Sequence, residues 1–287
     1  MACRNQSRSL CGLHLCTFRM EEVKSGIKMK IILGIFLIFN SCFVLGQVDQ
    51  KLKDSIAELK SQLGKMTIEQ FQTLHLKDTL NSKSTGSHGD GQLQNGNLMP
   101  FRGDNFTYFD EVSYKSGRAF MNDKAKKAVI HAYGQLAKTI PDRHFYLMEC
   151  SNEHGGEMFP HKTHQNGLSV DFMMPLLKDG KAFTGLDTIG ADHYWLSFDN
   201  EGRFDNDKSI TVDFNTIARH ILILNKSAAK FGVKVKKVII KIEFKDELFA
   251  TEYGKQLKSS GIYVVQKLSP LINALHDEHY HIDFEGL

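Results

Sequence analysis

Two short segments constrain this chain more than any other feature. HKTHQNGLSVD at residues 161–171 holds His161, His164 and Asp171, and HDEHYHID at residues 276–283 holds His276, His279 and His281. Imidazole and carboxylate groups at this density suit a borderline metal such as zinc. Any fold for this chain has to bring together two segments that lie far apart in sequence.

The spacings restrict how that is done. His279 and His281 are two apart, and Tyr280, Ile282 and Phe284 alternate with them. On a strand both imidazoles face one side and the three apolar groups face the core. His164 and Asp171 are seven apart. One straight strand would place them on opposite faces and about 23 Å apart, at 3.3 Å per residue. A helix would leave them about 10.5 Å apart along its axis. Metal–ligand bonds are about 2.0–2.2 Å, so the chain must bend between them. Asn166-Gly167 supplies the turn, and the alternation of Ser169, Asp171 and Met173 with Leu168, Val170 and Phe172 starts a strand. Structural zinc sites favour closed, cysteine-rich sets. Beyond the first 46 residues only Cys150 remains, and it reads as a small buried hydrophobe. A His and Asp set with a position left for water points to catalysis.

The rest of the chain reads as mixed α and β. Asp123 is expected to cap a helix carrying Val129, Tyr133 and Leu136 that ends at Pro141. Phe145 to Cys150 is an expected strand. Asp213 is expected to cap a helix with Phe214, Ile217, Ile221, Leu224 and Phe231 on one face, stopped by Gly232. Val233 to Ile242 reads as strand, and Asp246 to Leu257 as helix. Helices and strands do not alternate regularly, so α+β is expected: a small antiparallel sheet with flanking helices and the metal site on the sheet face.

Upstream, Leu52, Ile56, Leu59, Leu63 and Met66 form one helical face, and Thr67 with Gln70 forms a capping box. Residues 81–98, NSKSTGSHGDGQLQNGNL, read as a flexible linker. The expected organisation is an upstream extension at 1–28, a signal peptide at 29–46, a helical stem at 47–80, the linker at 81–98 and the metal-binding domain at 99–287. IILGIFLIF at 31–39 is too short to span a membrane and fits a signal-peptide core, with cleavage after Gly46. Lipid attachment at Cys42 is an alternative, though Phe39-Asn40-Ser41 matches such a motif poorly. Residues 1–46 carry six basic and two acidic side chains; the remainder has 30 basic and 31 acidic. That balance offers no electrostatic case for nucleic acid.

HKTHQNGLSVDFMMP resembles the first motif of the penicillin-insensitive murein endopeptidases, and HDEHYHIDF resembles their second. These enzymes group with the lysostaphin, D-Ala-D-Ala peptidase and hedgehog proteins, which share a His and an Asp seven apart followed by His-x-His. The resemblance covers about residues 105–284. It implies zinc ligands at His164, Asp171 and His281, with His279 beside the attacking water and His161 and His276 lining the site. It implies that the substrate is the peptidoglycan cross-link, D-alanyl to a diamino acid, reached by export to the periplasm or beyond. Two departures stand out. Ser169 takes the place of the family's usual Asp, and Ile282-Asp283 the place of Val-Arg. Two other readings fit the same residues. One is a zinc D,D- or L,D-carboxypeptidase, with Arg118 as a clamp for the terminal carboxylate. The other is a hedgehog-like module that keeps zinc without hydrolysis.

Overall fold

The computed structural model describes residues 61, 64–75 and 80–287. The expected leader and most of the 52–66 apolar stripe lie outside the described residues. Helix α1 (Ile68–His75) opens on the expected capping box. Thr67 N–H donates to Gln70 Oε1 at 2.8 Å, and Gln70 N–H donates to Thr67 Oγ1 at 3.2 Å. There follow β1 (Lys83–Ser87), β2 (Asp90–Gln94), β3 (Asn97–Leu98), β4 (Phe106–Tyr108), α2 (Glu111–Lys115), β5 (Phe120–Met121) and α3 (Asp123–Thr139). Next come β6 (Phe145–Leu147), β7 (Ser169–Met173), β8 (Leu176–Lys178), β9 (Lys181–Phe183), β10 (Arg203–Phe204), β11 (Asp207–Val212) and α4 (Phe214–Ala229). The order closes with β12 (Val233–Ile239), α5 (Phe244–Ala250), α6 (Glu252–Ser259), α7 (Pro270–Ala274) and β13 (His279–Gly286).

The α+β class is as expected. The main sheet has five strands in the order β12-β13-β7-β6-β4. It is mixed rather than purely antiparallel, because β4 and β6 run parallel while the other pairs are antiparallel. Parallel neighbours need a long crossover, and α3 lies in the chain between these two. Helices α3 and α4 cover one face of the sheet. Tyr133 of α3 meets Phe172 of β7 edge-on, and the His220 ring of α4 lies edge-on to Phe172 and to Tyr280 of β13. Val170, Phe172, Tyr280, Ile282 and Phe284 are all buried there. Among the described residues no helix is long and apolar enough to cross a membrane.

Two helix caps test the sequence reading. Asp213 caps α4 as expected, accepting from Thr216 N–H at 3.0 Å. The cap of α3 is Asn122 rather than Asp123. The Asn122 side chain accepts from Lys124 N–H, whereas Asp123 accepts from Ser82 N–H and from Lys127 Nζ.

Residues 81–98 differ most from expectation. They form a hairpin and a short strand, not a free linker, so the folded unit reaches back before Leu98. Strands β1 and β2 pair along their whole length. Leu93 is 1% exposed, and its N–H donates to His154 O at 2.9 Å. Ser84 Oγ donates to Asn166 O at 2.6 Å, and Gln165 N–H donates to His88 O at 3.0 Å. The polar residues that suggested a linker are spent on backbone groups of the domain.

The bend at 164–168 is tight. Gly167 has φ +75°, and a Cβ there would lie 2.8 Å from the Asn122 backbone nitrogen and 2.7 Å from a Leu93 methyl. Asn122 N–H donates to Gly167 O at 2.8 Å, so displacing it breaks a bond. The left-handed conformation costs an L-residue roughly 1–2 kcal/mol before any clash. Gly167→Ala is therefore expected to lower stability by at least about 2 kcal/mol. A urea midpoint within error of the wild type, at constant slope, would contradict this account.

Candidate metal centre

The two histidine segments meet through strand register. In the β7–β13 ladder His281 lies directly opposite Asp171, Asp283 opposite Ser169, and His279 opposite Met173. Alternation places His279, His281 and Asp283 on one face of β13 and the apolar residues on the other. His164 reaches the same point from the loop before β7. It has φ +70°, so the reversal starts at the histidine itself, ahead of the expected Asn166-Gly167 turn. His164 and Asp171 have no exposed surface, His281 is 2% exposed, and His161 is partly buried.

Three imidazoles share one arrangement, with one nitrogen tied outward and the other aimed inward. His164 Nδ1 donates to Cys150 O. His281 Nε2 donates to Asp283 Oδ1 at 2.8 Å, and His161 Nε2 donates to Glu149 Oε2 at 2.6 Å. Inward, His164 Nε2 lies 3.0 Å from His281 Nδ1 and 3.3 Å from Asp171 Oδ2. His281 Nδ1 lies 2.8 Å from Asp171 Oδ1, and His161 Nδ1 lies 3.4 Å from Asp171 Oδ2. His161, His164 and Asp171 each offer an atom within 4.8 Å of the others, a group that can hold a metal ion. Asp171 Oδ2 is fully buried yet has no hydrogen-bond partner. A buried carboxylate oxygen without a donor, ringed by inward imidazole nitrogens, is the environment a divalent cation satisfies. The outward bonds fix the tautomers that leave lone pairs facing the centre.

The electrostatics agree. Burial alone would raise the Asp171 carboxyl, but the nearby His164 and His279 and the hydrogen bonds from His164 and His281 hold it well below the usual range. Burial pushes the His164 imidazole down, against the opposing pull of the Asp171 carboxylate. Burial also opposes charge on His281, yet the Asp283 charge and the bonds to Asp171 and Asp283 raise it to about 9. The His281 ring thus lies between the Asp171 and Asp283 carboxylates, which favour its protonated form. Burial favours the neutral form of Glu149, but His161, Arg118 and Ser113 hold it at about 2.

The remaining expected residues surround this ring. His279 Nδ1 contacts Glu278 Oε1 at 3.0 Å, and its Nε2 lies 3.9 Å from Asp171 Oδ2. His276 Nδ1 donates to Ile272 O at 2.6 Å, and its ring lies 4.9 Å from that of His279. Burial, then His279, pushes the His276 imidazole down to about 3. The structure brings together all six residues expected from the sequence. It adds Glu149, Glu278 and Asp283, which hold His161, His279 and His281. Asp283 was legible in principle, being two residues beyond His281 on a strand. Arg118 is committed elsewhere. It pairs with Glu149 Oε1 at 2.7 Å and donates to Phe159 O.

A family model described as penicillin-insensitive murein endopeptidase matches residues 84–286, a span that includes both histidine segments and all but the first residue of the hairpin. No curated protein matches the chain. The protonated His281 generates a pH dependence. A metal that takes Nδ1 must displace its proton, so between pH 6 and 8 apparent affinity for zinc should rise about tenfold per pH unit, with proton release on binding. Calorimetric titrations in two buffers of different ionisation enthalpy check this; equal affinity at both pH values would contradict it.

Proposed function

Because the chain belongs to the penicillin-insensitive murein endopeptidase family, we propose that it is a zinc-dependent peptidase that hydrolyses D-alanyl to diamino-acid cross-links in peptidoglycan. The observation that carries this reading is the ring of inward imidazole nitrogens around the unpartnered Asp171 Oδ2. His164, Asp171 and His281 would hold the ion, on the sheet face of a lysostaphin-like fold. His161, more exposed than these three, can supply a fourth nitrogen. A bound zinc polarises a carbonyl and lowers the pKa of water towards ~7.

The chain's own groups supply the proton chemistry. Glu278 accepts from His279 Nδ1–H, which leaves the His279 Nε2 lone pair facing the centre. That tautomer can accept a proton first and then, as an imidazolium, donate to a developing oxyanion. His276 is neutral at working pH, with Nδ1–H on the Ile272 carbonyl. Its Nε2 therefore serves as an acceptor for a substrate N–H, rather than as the acid that protonates the leaving amine.

The Arg118–Glu149 pair argues against the carboxypeptidase reading, since the expected carboxylate clamp is already occupied in holding the partner of His161. The His279–Glu278 pair argues for hydrolysis over a binding-only module. Export through the 29–46 signal segment would bring the domain to the wall, with the 47–80 stem ahead of it.

The expected outcomes separate metal holding from proton transfer. His164→Ala and Asp171→Ala should lose zinc, measured by atomic emission on purified protein. His279→Ala should keep zinc and lose about 10²–10⁴-fold in release of cross-linked muropeptides, the usual contribution of a general acid or base. Loss of zinc from the His279→Ala protein, or near wild-type turnover, would reject the assignment.

A further inference from the structure

The two departures from the family pattern, Ser169 and Asp283, are direct partners across the β7–β13 ladder. The Asp283 side chain has no exposed surface. Its Oδ1 accepts from His281 Nε2 at 2.8 Å and from Ser169 Oγ at 2.5 Å. Its Oδ2 lies 2.9 Å from Lys237 Nζ. Lys237 is the register partner of Asp283 on the other side, in β12. The register shifts between Val235 and Lys237, so Lys236 is an extra residue opposite no partner. Without that bulge, Lys237 would continue the inward series of Val233 and Val235. A bulge re-aims a side chain in this way. One row across three strands therefore reads Lys237, Asp283, Ser169, and it ends on the outward nitrogen of His281.

We propose that Asp283 is a positioning residue for His281: it fixes the ring with Nε2–H outward and the Nδ1 lone pair on the metal, and Lys237 and Ser169 hold its carboxylate in place. This rests on the zinc reading above. The physical reasons are on the page. A buried carboxylate without a cation would be costly, and Lys237, just past the bulge in the neighbouring strand, supplies that cation. A serine, with no charge of its own, leaves the Asp283 charge to His281 and Lys237. The carboxylate on the outer nitrogen both sets the tautomer and raises the donor strength of the inner one. The resemblance would place an Asp at 169 and an Arg at 283. Here the carboxylate stands at 283, on the strand of the ligand it orients.

The test uses the whole chain. Asp283→Asn keeps the shape and removes the charge; Lys237→Met removes the cation at a partly exposed position and leaves the core intact. Zinc affinity is measured by competition with a chromophoric chelator, and ligand geometry by the visible absorption of cobalt(II) in the site. The expected result is 10–100-fold weaker zinc binding with an altered cobalt spectrum for Asp283→Asn, and a smaller weakening in the same direction for Lys237→Met. Adding Ser169→Asp to Asp283→Asn, which returns a carboxylate to the facing position, should recover part of the affinity. Zinc binding within twofold of wild type in both single variants, with unchanged cobalt spectra, would overturn the inference. If Asp283→Asn does not fold, Lys237→Met alone decides by the same criterion. Wild-type protein that takes up no zinc would instead overturn the zinc reading itself, and this inference with it.

Discussion

The register between β7 and β13 is the constraint on which the rest of the structure depends. Because side chains alternate with a period of two, a slip of one residue would set the apolar face of one strand beside the polar face of the other and part Asp171 from His281. The apolar face prevents that slip. Phe172 and Tyr280 stack at 5.4 Å, and Tyr280 shares a hydrogen bond with His220 of α4. Burial pushes His220 down to about 3, so it sits in the core as a neutral partner rather than a charge. The helices that pack against one side of the sheet thereby set the alignment of the polar groups on the other.

Much of this was legible because it follows from local rules. The alternation around His279 and His281 predicts a strand with one polar face, and the structure has it. The seven-residue gap between His164 and Asp171 demands a bend, and Asn166-Gly167 lies within it. The Asp213 cap and the Thr67–Gln70 box need only near neighbours in sequence. What stayed hidden depends on partners far along the chain. The hairpin at 83–94 buries one large apolar residue, Leu93, and gains most of its attachment from backbone and serine hydrogen bonds. Composition cannot tell such a segment from a linker. Asn122 and Asp123 are both good caps; the choice falls to Asn122 because Ser82 binds Asp123 from 41 residues away. Asp283 looked like a mere departure from a motif, since neither Ser169 nor the shifted Lys237 is near it in sequence.

The polar groups around the centre form linked pairs rather than isolated charges. Arg118 neutralises Glu149, Glu149 holds His161, and Lys237 neutralises Asp283, which holds His281. Each outer cation lies nearer solvent than the carboxylate it pairs with. Charge is thus handed inward in steps, and no buried carboxylate in these chains lacks an ionic neighbour. Removing one member of such a chain strands the next, which is why single deletions in buried ionic networks cost more than the pair itself contributes.

The place of β13 in the sheet has a consequence for synthesis. This strand comes after every other described element in the chain, yet it sits between β12 and β7 rather than at an edge. Asp171 and His281 are 110 residues apart. During translation at about 5–20 residues per second, β7 waits several seconds with its neighbour's position vacant. The nascent chain therefore carries His161, His164 and Asp171 well before the strand that closes the ring around them. A polypeptide interrupted anywhere in that interval holds only three of the six residues that meet at the centre.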